Sequence, residues 1–173
     1  CRPPGHHAAA DVAAGFCYFN NTAIAAALLT QAGKRTAVLD IDVHHGNGTE
    51  AIFYDRADVL TISLHAHPKR FYPFFWGYEG ETGAGAGEGA NLNLPLPRGT
   101  RDEGFLAALA QGMEKLTLWG ADTLVLALGL DATSSDAVCA PHRPDRGRGQ
   151  GPLAEDQDPG RLRPGVFAAA QFR

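Results

Sequence analysis

The chain predicts an α/β fold on a mainly parallel sheet, and three observations point there. Short apolar runs alternate with helix-like stretches, the pattern of strands joined by helical crossovers. The runs end in residues that carry chemistry, Asp42 and His44, then His65, then Asp131. Sites in parallel α/β sheets gather beyond the carboxyl ends of the strands. The 173 residues, 45% of them hydrophobic, amount to about one domain with a core of its own.

Taken in order, Cys1-Arg2-Pro3-Pro4-Gly5-His6-His7 reads as a site loop with no strand or cap before it. Residues 20–32 are rich in Ala and Leu and predict a helix. Gly33 stops it, with Lys34 and Arg35 near the negative end of its dipole. Residues 36–43 predict a buried strand, 47–55 a short helix and 59–65 a second strand. Residues 66–100 read as one long loop, aromatic first and then glycine-rich, whose length marks it as functional. Residues 102–118 predict an amphipathic helix, with Phe105, Leu106, Leu109, Met113 and Leu116 near helical spacing. Residues 123–131 predict a third strand. Beyond Ala132 the chain is rich in Pro, Gly and Arg without a period, and residues 143–152 read as disordered. The apolar cluster at 166–172 has no assigned place in the fold.

The most informative stretch is Leu39-Asp40-Ile41-Asp42-Val43-His44-His45-Gly46-Asn47-Gly48. Along a continuing strand, Asp40, Asp42 and His44 would share one face. An oxygen–nitrogen set of this kind suits a zinc-like divalent metal. So many ionisable groups on a buried strand would be costly without a metal or partners.

Composition excludes other classes. A net charge of −4 and a pI near 5.9 provide no basic field for nucleic acid or for an acidic membrane surface. No apolar stretch is long enough to span a bilayer, and no charged-then-apolar signal sequence opens the chain. Cys1, Cys17 and Cys139 fit neither a zinc finger nor a disulfide framework, so a reducing cytoplasm is the expected compartment. Cys17 reads as a small buried hydrophobe, and His65 and His67 as polar loop residues. The glycines at 83–89 lack the Lys-Ser/Thr ending of a phosphate loop, which rejects nucleotide binding.

Five motifs occur in an order that resembles the zinc-dependent histone deacetylases. They are Gly5-His6-His7-Ala8, Gly15-Phe16-Cys17-Tyr18-Phe19-Asn20-Asn21, the stretch from Asp40 to Gly48, Ser63-Leu64-His65, and Leu128-Gly129-Leu130-Asp131. The loop Phe71-Tyr72-Pro73-Phe74-Phe75-Trp76-Gly77 with Glu81-Thr82-Gly83 resembles the bacterial branch, which holds acetylpolyamine amidohydrolases and class II-like deacetylases. The resemblance implies an arginase/deacetylase-like three-layer fold, incomplete in this chain. It implies hydrolysis of an acetylated lysine or polyamine with release of acetate.

Residue by residue, the resemblance implies zinc ligands Asp42, His44 and Asp131 and tandem catalytic histidines His6 and His7. Asp40 is implied to orient His6 and raise its proton affinity. Asn47 would face His7, where some relatives carry Asp, and so would leave His7 less basic. Gly15, Phe16 and Phe75 match the lining of an acyl channel. A structural potassium ion is implied at Asp40, Asp42, His44, Ser63 and Leu64, and a second one near Phe53, Arg56 and Val59. The resemblance leaves room for a homodimer.

Departures from the family pattern sit late in the chain. No tyrosine follows Asp131, where the family places an oxyanion donor after a glycine-rich stretch, and the Asp-Pro pair after the third ligand is not at its usual place. The further strands of the family's sheet and an N-terminal segment are also missing from the pattern. The expected organisation is a partial deacetylase catalytic domain over 1–131 and an atypical tail over 132–173, disordered or frame-shifted. The alternative expectation is an inactive, metal-binding remnant. An arginase-like di-manganese hydrolase is a third reading, which His6-His7 argues against.

Overall fold

The computed structural model describes residues 5–129, Asp131 and, as backbone strand, residues 166–171. The elements in order are α1 (Asn21–Gln31), β1 (Thr36–Asp40), α2 (Asn47–Phe53), β2 (Val59–Ala66), β3 (Asn91–Leu96), α3 (Asp102–Trp119), β4 (Thr123–Leu128) and β5 (Val166–Gln171). The sheet runs β3-β2-β1-β4-β5. The first four strands are parallel, and β5 pairs antiparallel with β4, Thr123 opposite Gln171 and Leu128 opposite Val166. The α/β fold with a mainly parallel sheet is therefore present.

Two strands lie where none was expected, and β4 stops at Leu128, short of the expected 131. β3 lies inside the segment read as one long loop. It is an edge strand, and Pro95 within it disguises it, because proline is tolerated only where no ladder partner needs its missing N–H. The apolar cluster near the end of the chain, which had no assigned place, is β5. The stretch 132–165, read as tail, falls outside the described residues.

Local chemistry sets the helices. Asn20 caps α1, its Oδ1 accepting from Ala23 N–H at 2.9 Å, and Gly33 at φ +77° turns the chain out of it. α3 starts with Asp102 and Glu103 and ends on Gly120 in the left-handed region. Its inward face differs from the expected stripe. Leu116 is buried, but Leu106 and Met113 are exposed, and Ala108 and Gly112 face the sheet. Small residues let the helix approach closely: a Cβ on Gly112 would stand 3.2 Å from Ile62 Cγ2.

Strand alternation gives the sheet two unlike faces. Ala37, Leu39, Leu60, Ile62, Leu64 and Leu124 form an apolar layer under Ala108 and Leu116 of α3. The opposite face packs Val38, Val59 and Val125 against Ala23, Ala26 and Phe53. Further along that second face, toward the strand ends, it turns polar. Asp40, Thr61, Ser63, His65, Asn91 and Asn93 are all buried there. Among the described residues, no helix is long and apolar enough to cross a membrane.

Candidate active site

The bend after β1 builds the site. Asp42 N–H donates to Asp40 Oδ1 at 3.1 Å, and His44 N–H to Asp42 Oδ1 at 2.8 Å. These side chain-to-backbone bonds favour a turn over a continued strand. The expectation of one alternating strand face is thereby corrected: the strand stops at Asp40. Asp40 turns to the N-terminal loop, while Asp42 and His44 turn to Asp131.

His44 Nδ1 lies 3.1 Å from Asp42 Oδ1 and 3.1 Å from Asp131 Oδ2. One donor atom from each of the three residues lies within 4.8 Å of the others. Asp131 is held by its second oxygen, which accepts Val43 N–H at 3.1 Å. A single ring nitrogen facing two carboxylates has at most one proton to share. A divalent cation between them would satisfy all three donors, so the residues fit a metal. Burial opposes charge on His44, but hydrogen bonds to Asp131 and Asp42 outweigh it and raise the imidazole to about 9. Burial likewise pushes Asp42 up, but His44 and the His6 charge outweigh it and hold the carboxylate at about 2.

The tandem histidines sit beside this triad with ring centroids 4.0 Å apart. His6 Nδ1 donates to Asp40 Oδ2 at 2.7 Å, and its Nε2 lies 3.8 Å from Asp42 Oδ1. Burial disfavours its charged form, but Asp40 overcomes that and lifts His6 to about 9. His7 Nδ1 donates to Asn47 Oδ1 at 2.7 Å. Burial, then the neighbouring His6 charge, drive His7 down to about 3, and the neutral Asn47 offers little to counter them. The pair is thus one cation and one neutral imidazole whose Nε2 is an open acceptor. Asn20 secures the loop that carries them, its Nδ2 donating to Ala8 O at 2.9 Å and to Thr49 Oγ1 at 3.1 Å.

The other expected site residues fall nearby to different degrees. Gly15 has φ +51°, and a Cβ there would overlap the His7 ring. Phe16 and Phe75 are exposed by 92% and 82%. Asp40 and Ser63 are register partners on β1 and β2, and both line a small void with room for about one water. Leu64 points to the α3 side of the sheet. Arg56 N–H donates to Phe53 O at 3.0 Å, just before Val59 opens β2. His65, expected at the end of the second strand as a polar loop residue, is a fully buried member of β2.

Two features escaped the sequence reading. Tyr72 stands edge-on to His7, centroids 4.8 Å apart, and 6.5 Å from His44. Its only signal is its place in Phe71-Tyr72-Pro73. Behind the site, His45, Glu50, Asn91 and Asn93 form a buried polar cluster. The alternation Asn91-Leu92-Asn93-Leu94 could have disclosed it as a strand with one polar face.

Comparison with known proteins agrees with this geometry. Residues 1–143 match the histone deacetylase domain model, some way past Asp131. The chain is 50% identical over 139 residues to acetylpolyamine amidohydrolase 2 of Pseudomonas aeruginosa, covering 80% of this chain and 40% of that protein. It is 46% identical over 139 residues to the acetylpolyamine amidohydrolase of Mycoplana ramosa, covering 80% and 41%. The crystal structure of acetylpolyamine aminohydrolase from Burkholderia pseudomallei superimposes with a TM-score of 0.78 at 49% identity, over 79% of this chain and 40% of that one. The chain thus spans about two fifths of the length of these relatives. With residues 1–143 matched to that domain model around the candidate metal triad and the paired histidines, the chain belongs to the histone deacetylase family.

Proposed function

We propose that the site hydrolyses the amide of an acetylated amine, a lysine side chain or a polyamine, with zinc held by Asp42, His44 and Asp131. The observation that carries this reading is the placement of one neutral and one cationic imidazole beside a two-carboxylate, one-imidazole metal triad. Zinc bound there supplies Lewis acidity, polarising the acyl oxygen and acidifying water. His7 Nε2, neutral and unprotonated, accepts the proton of the attacking water. The water oxygen bonds to the acyl carbon, the C–N bond breaks, and His7 passes the proton to the leaving amine. His6, kept cationic by Asp40, lends positive charge to the oxygen-rich transition state. Asn47 holds His7 in the tautomer that leaves Nε2 free. Gly15, Phe16 and Phe75 would flank the acyl-bearing chain. The relatives named as acting on acetylpolyamines support a small cationic substrate, which also suits the net charge of −4.

A potassium ion beneath the site, at Asp40, Asp42, His44, Ser63 and Leu64, belongs to the same proposal, as does a second at Phe53, Arg56 and Val59. Support for the first is the pairing of Asp40 with Ser63 beside a small void that both line. The proposed compartment is the cytoplasm, and the oligomer a homodimer. The second reading is a metal-binding remnant without activity, favoured by the change of composition after Ala132, which departs from the family pattern. The experiment is acetate release from acetylputrescine and acetyl-lysine by the zinc-loaded chain, with and without chelator. Chelator-sensitive release supports the hydrolase. Zinc uptake with no release supports the remnant, and absence of zinc uptake sinks both.

A further inference from the structure

The aromatic loop reaches the site from outside, and of its residues 71–76 only Pro73 is buried. Phe71 lies 6.2 Å from His44 and Tyr72 4.8 Å from His7, ring to ring. Yet Phe74, Phe75 and Trp76 are exposed. Something else must hold the loop in place.

Its backbone is anchored immediately after Trp76. Gly77 N–H and Tyr78 N–H both donate to Glu81 Oε2, at 2.6 and 2.8 Å. Gly77 O accepts from His65 Nε2 at 2.9 Å, and Tyr78 O from Asn93 Nδ2 at 3.3 Å. Asn93 Nδ2 also reaches Glu81 Oε2 at 3.0 Å and Glu50 Oε2 at 2.7 Å. Its Oδ1 accepts from His45 Nε2 at 3.1 Å. Glu50 Oε2 gathers His45 Nε2 at 3.0 Å and Asn91 Nδ2 at 2.9 Å as well. His45 directly follows the ligand His44. The loop that brings aromatic rings to the site and the loop that carries the ligands therefore hang on one buried hub.

Gly77 sits against that hub. At φ +100°, a Cβ on it would stand 2.7 Å from His65 Nε2 and 2.8 Å from His45 Cγ. A polar hub is an expensive way to hold a strand, because an apolar replacement of similar volume is often as stable or more so. Directional bonds provide what apolar packing does not, a single fixed position for the loop they tie.

We propose that Glu81 and Asn93 are positioning residues for the acyl channel, holding the aromatic loop over the metal triad. The ligand side of this inference rests on the proposed hydrolase reading; the loop geometry does not. Two probes on the zinc-loaded chain separate the effects. Acetohydroxamate reaches the metal alone, whereas a hydroxamate on a six-carbon chain with an aryl cap also needs the channel walls. With Glu81→Ala, the long probe should bind about tenfold more weakly, with zinc and acetohydroxamate affinities within about twofold of the parent. Glu81→Gln, whose amide oxygen still accepts both N–H groups, should restore the long probe. Asn93→Ala should act in the same direction as Glu81→Ala. Equal weakening of both probes, or an unchanged long probe, would overturn the proposal. If the parent chain takes up no zinc, the hydrolase reading fails, and hydrogen exchange on the metal-free chain still decides this one. Glu81→Ala should speed exchange at residues 71–80 about tenfold or more while β1 and β2 keep their protection. Unchanged exchange in that loop would overturn it.

Discussion

His65 should make the fold acid-sensitive by a calculable amount. It is 1% exposed, donates Nε2–H to Gly77 O, and accepts from Ser63 Oγ at Nδ1. Burial first, and the adjacent His45 second, lower it from 6.5 to about 3. A folded value below the unfolded one means that the unfolded chain takes up the proton first. The stabilisation that follows is complete above the unfolded value and is lost as pH falls below it. Each pH unit below 6.5 then costs about 1.4 kcal/mol until the folded value is approached. At pH 5 the loss is about 2 kcal/mol, and it hardly depends on where near 3 the folded group titrates. His7, also lowered to about 3, adds a like slope, so the comparison must be differential. His6 and His44, raised to about 9, contribute stability that is full below 6.5 and lost as pH climbs toward 9, the opposite window. The perturbation is His65→Gln, measured by urea unfolding at pH 7.5, 6 and 5 with chelator present. The variant starts less stable, because a buried donor and acceptor are disturbed. The gap to the parent should then shrink by about 2 kcal/mol on going to pH 5. A gap that stays constant with pH would refute the reasoning that His65 is held neutral.

Other consequences are equally direct. Asn47→Asp replaces a neutral acceptor by a carboxylate at 2.7 Å from His7. NMR titration should find the His7 imidazole raised by about 1–3 units, and an unmoved titration would show that the partner at position 47 does not set its basicity. Glu50→Ala strips one oxygen of bonds from His45, Asn91 and Asn93. Urea unfolding should record a loss of about 3 kcal/mol or more, and a loss under about 1 kcal/mol would show that the cluster finds other partners. Phe53→Ala empties the layer between α1, α2 and the sheet, at 1% exposure. It should cost about 3–5 kcal/mol, and a near-neutral result would misplace that core.

How legible this molecule is from its residues depends on whether local or distant chemistry sets each feature. α1, α2, β2 and α3 follow from composition, capping and periodicity, so the sequence reading and the structure agree to within a residue or two. β1 was read too long because the alternation of Asp40, Asp42 and His44 imitates a strand. The turn is made by carboxylates bonding their own backbone, a competition that hydrophobic pattern does not report. β3 was hidden by Pro95 and by the glycines before it, since edge strands tolerate what central strands do not. The stripe on α3 was judged by size, whereas close helix–sheet approach selected Ala108 and Gly112. The cluster of Asp42, His44 and Asp131, a candidate metal site, was legible through ordered motifs, although no pattern relates Asp131 to Val43 N–H 88 positions earlier. The hub around Glu50 was not legible, because its members come from four separate segments and each looks ordinary alone.

The most direct measurement is zinc-edge X-ray absorption on the chain loaded with the metal and then gel-filtered. One zinc per chain is expected, with a single imidazole nitrogen and carboxylate or water oxygens at about 2.0–2.2 Å. Asp131→Asn should lower zinc affinity by more than about 100-fold, beyond what an outer-shell change costs. Sulfur in the coordination shell, two or more imidazoles on the metal, or zinc uptake indifferent to Asp131 would contradict that expectation.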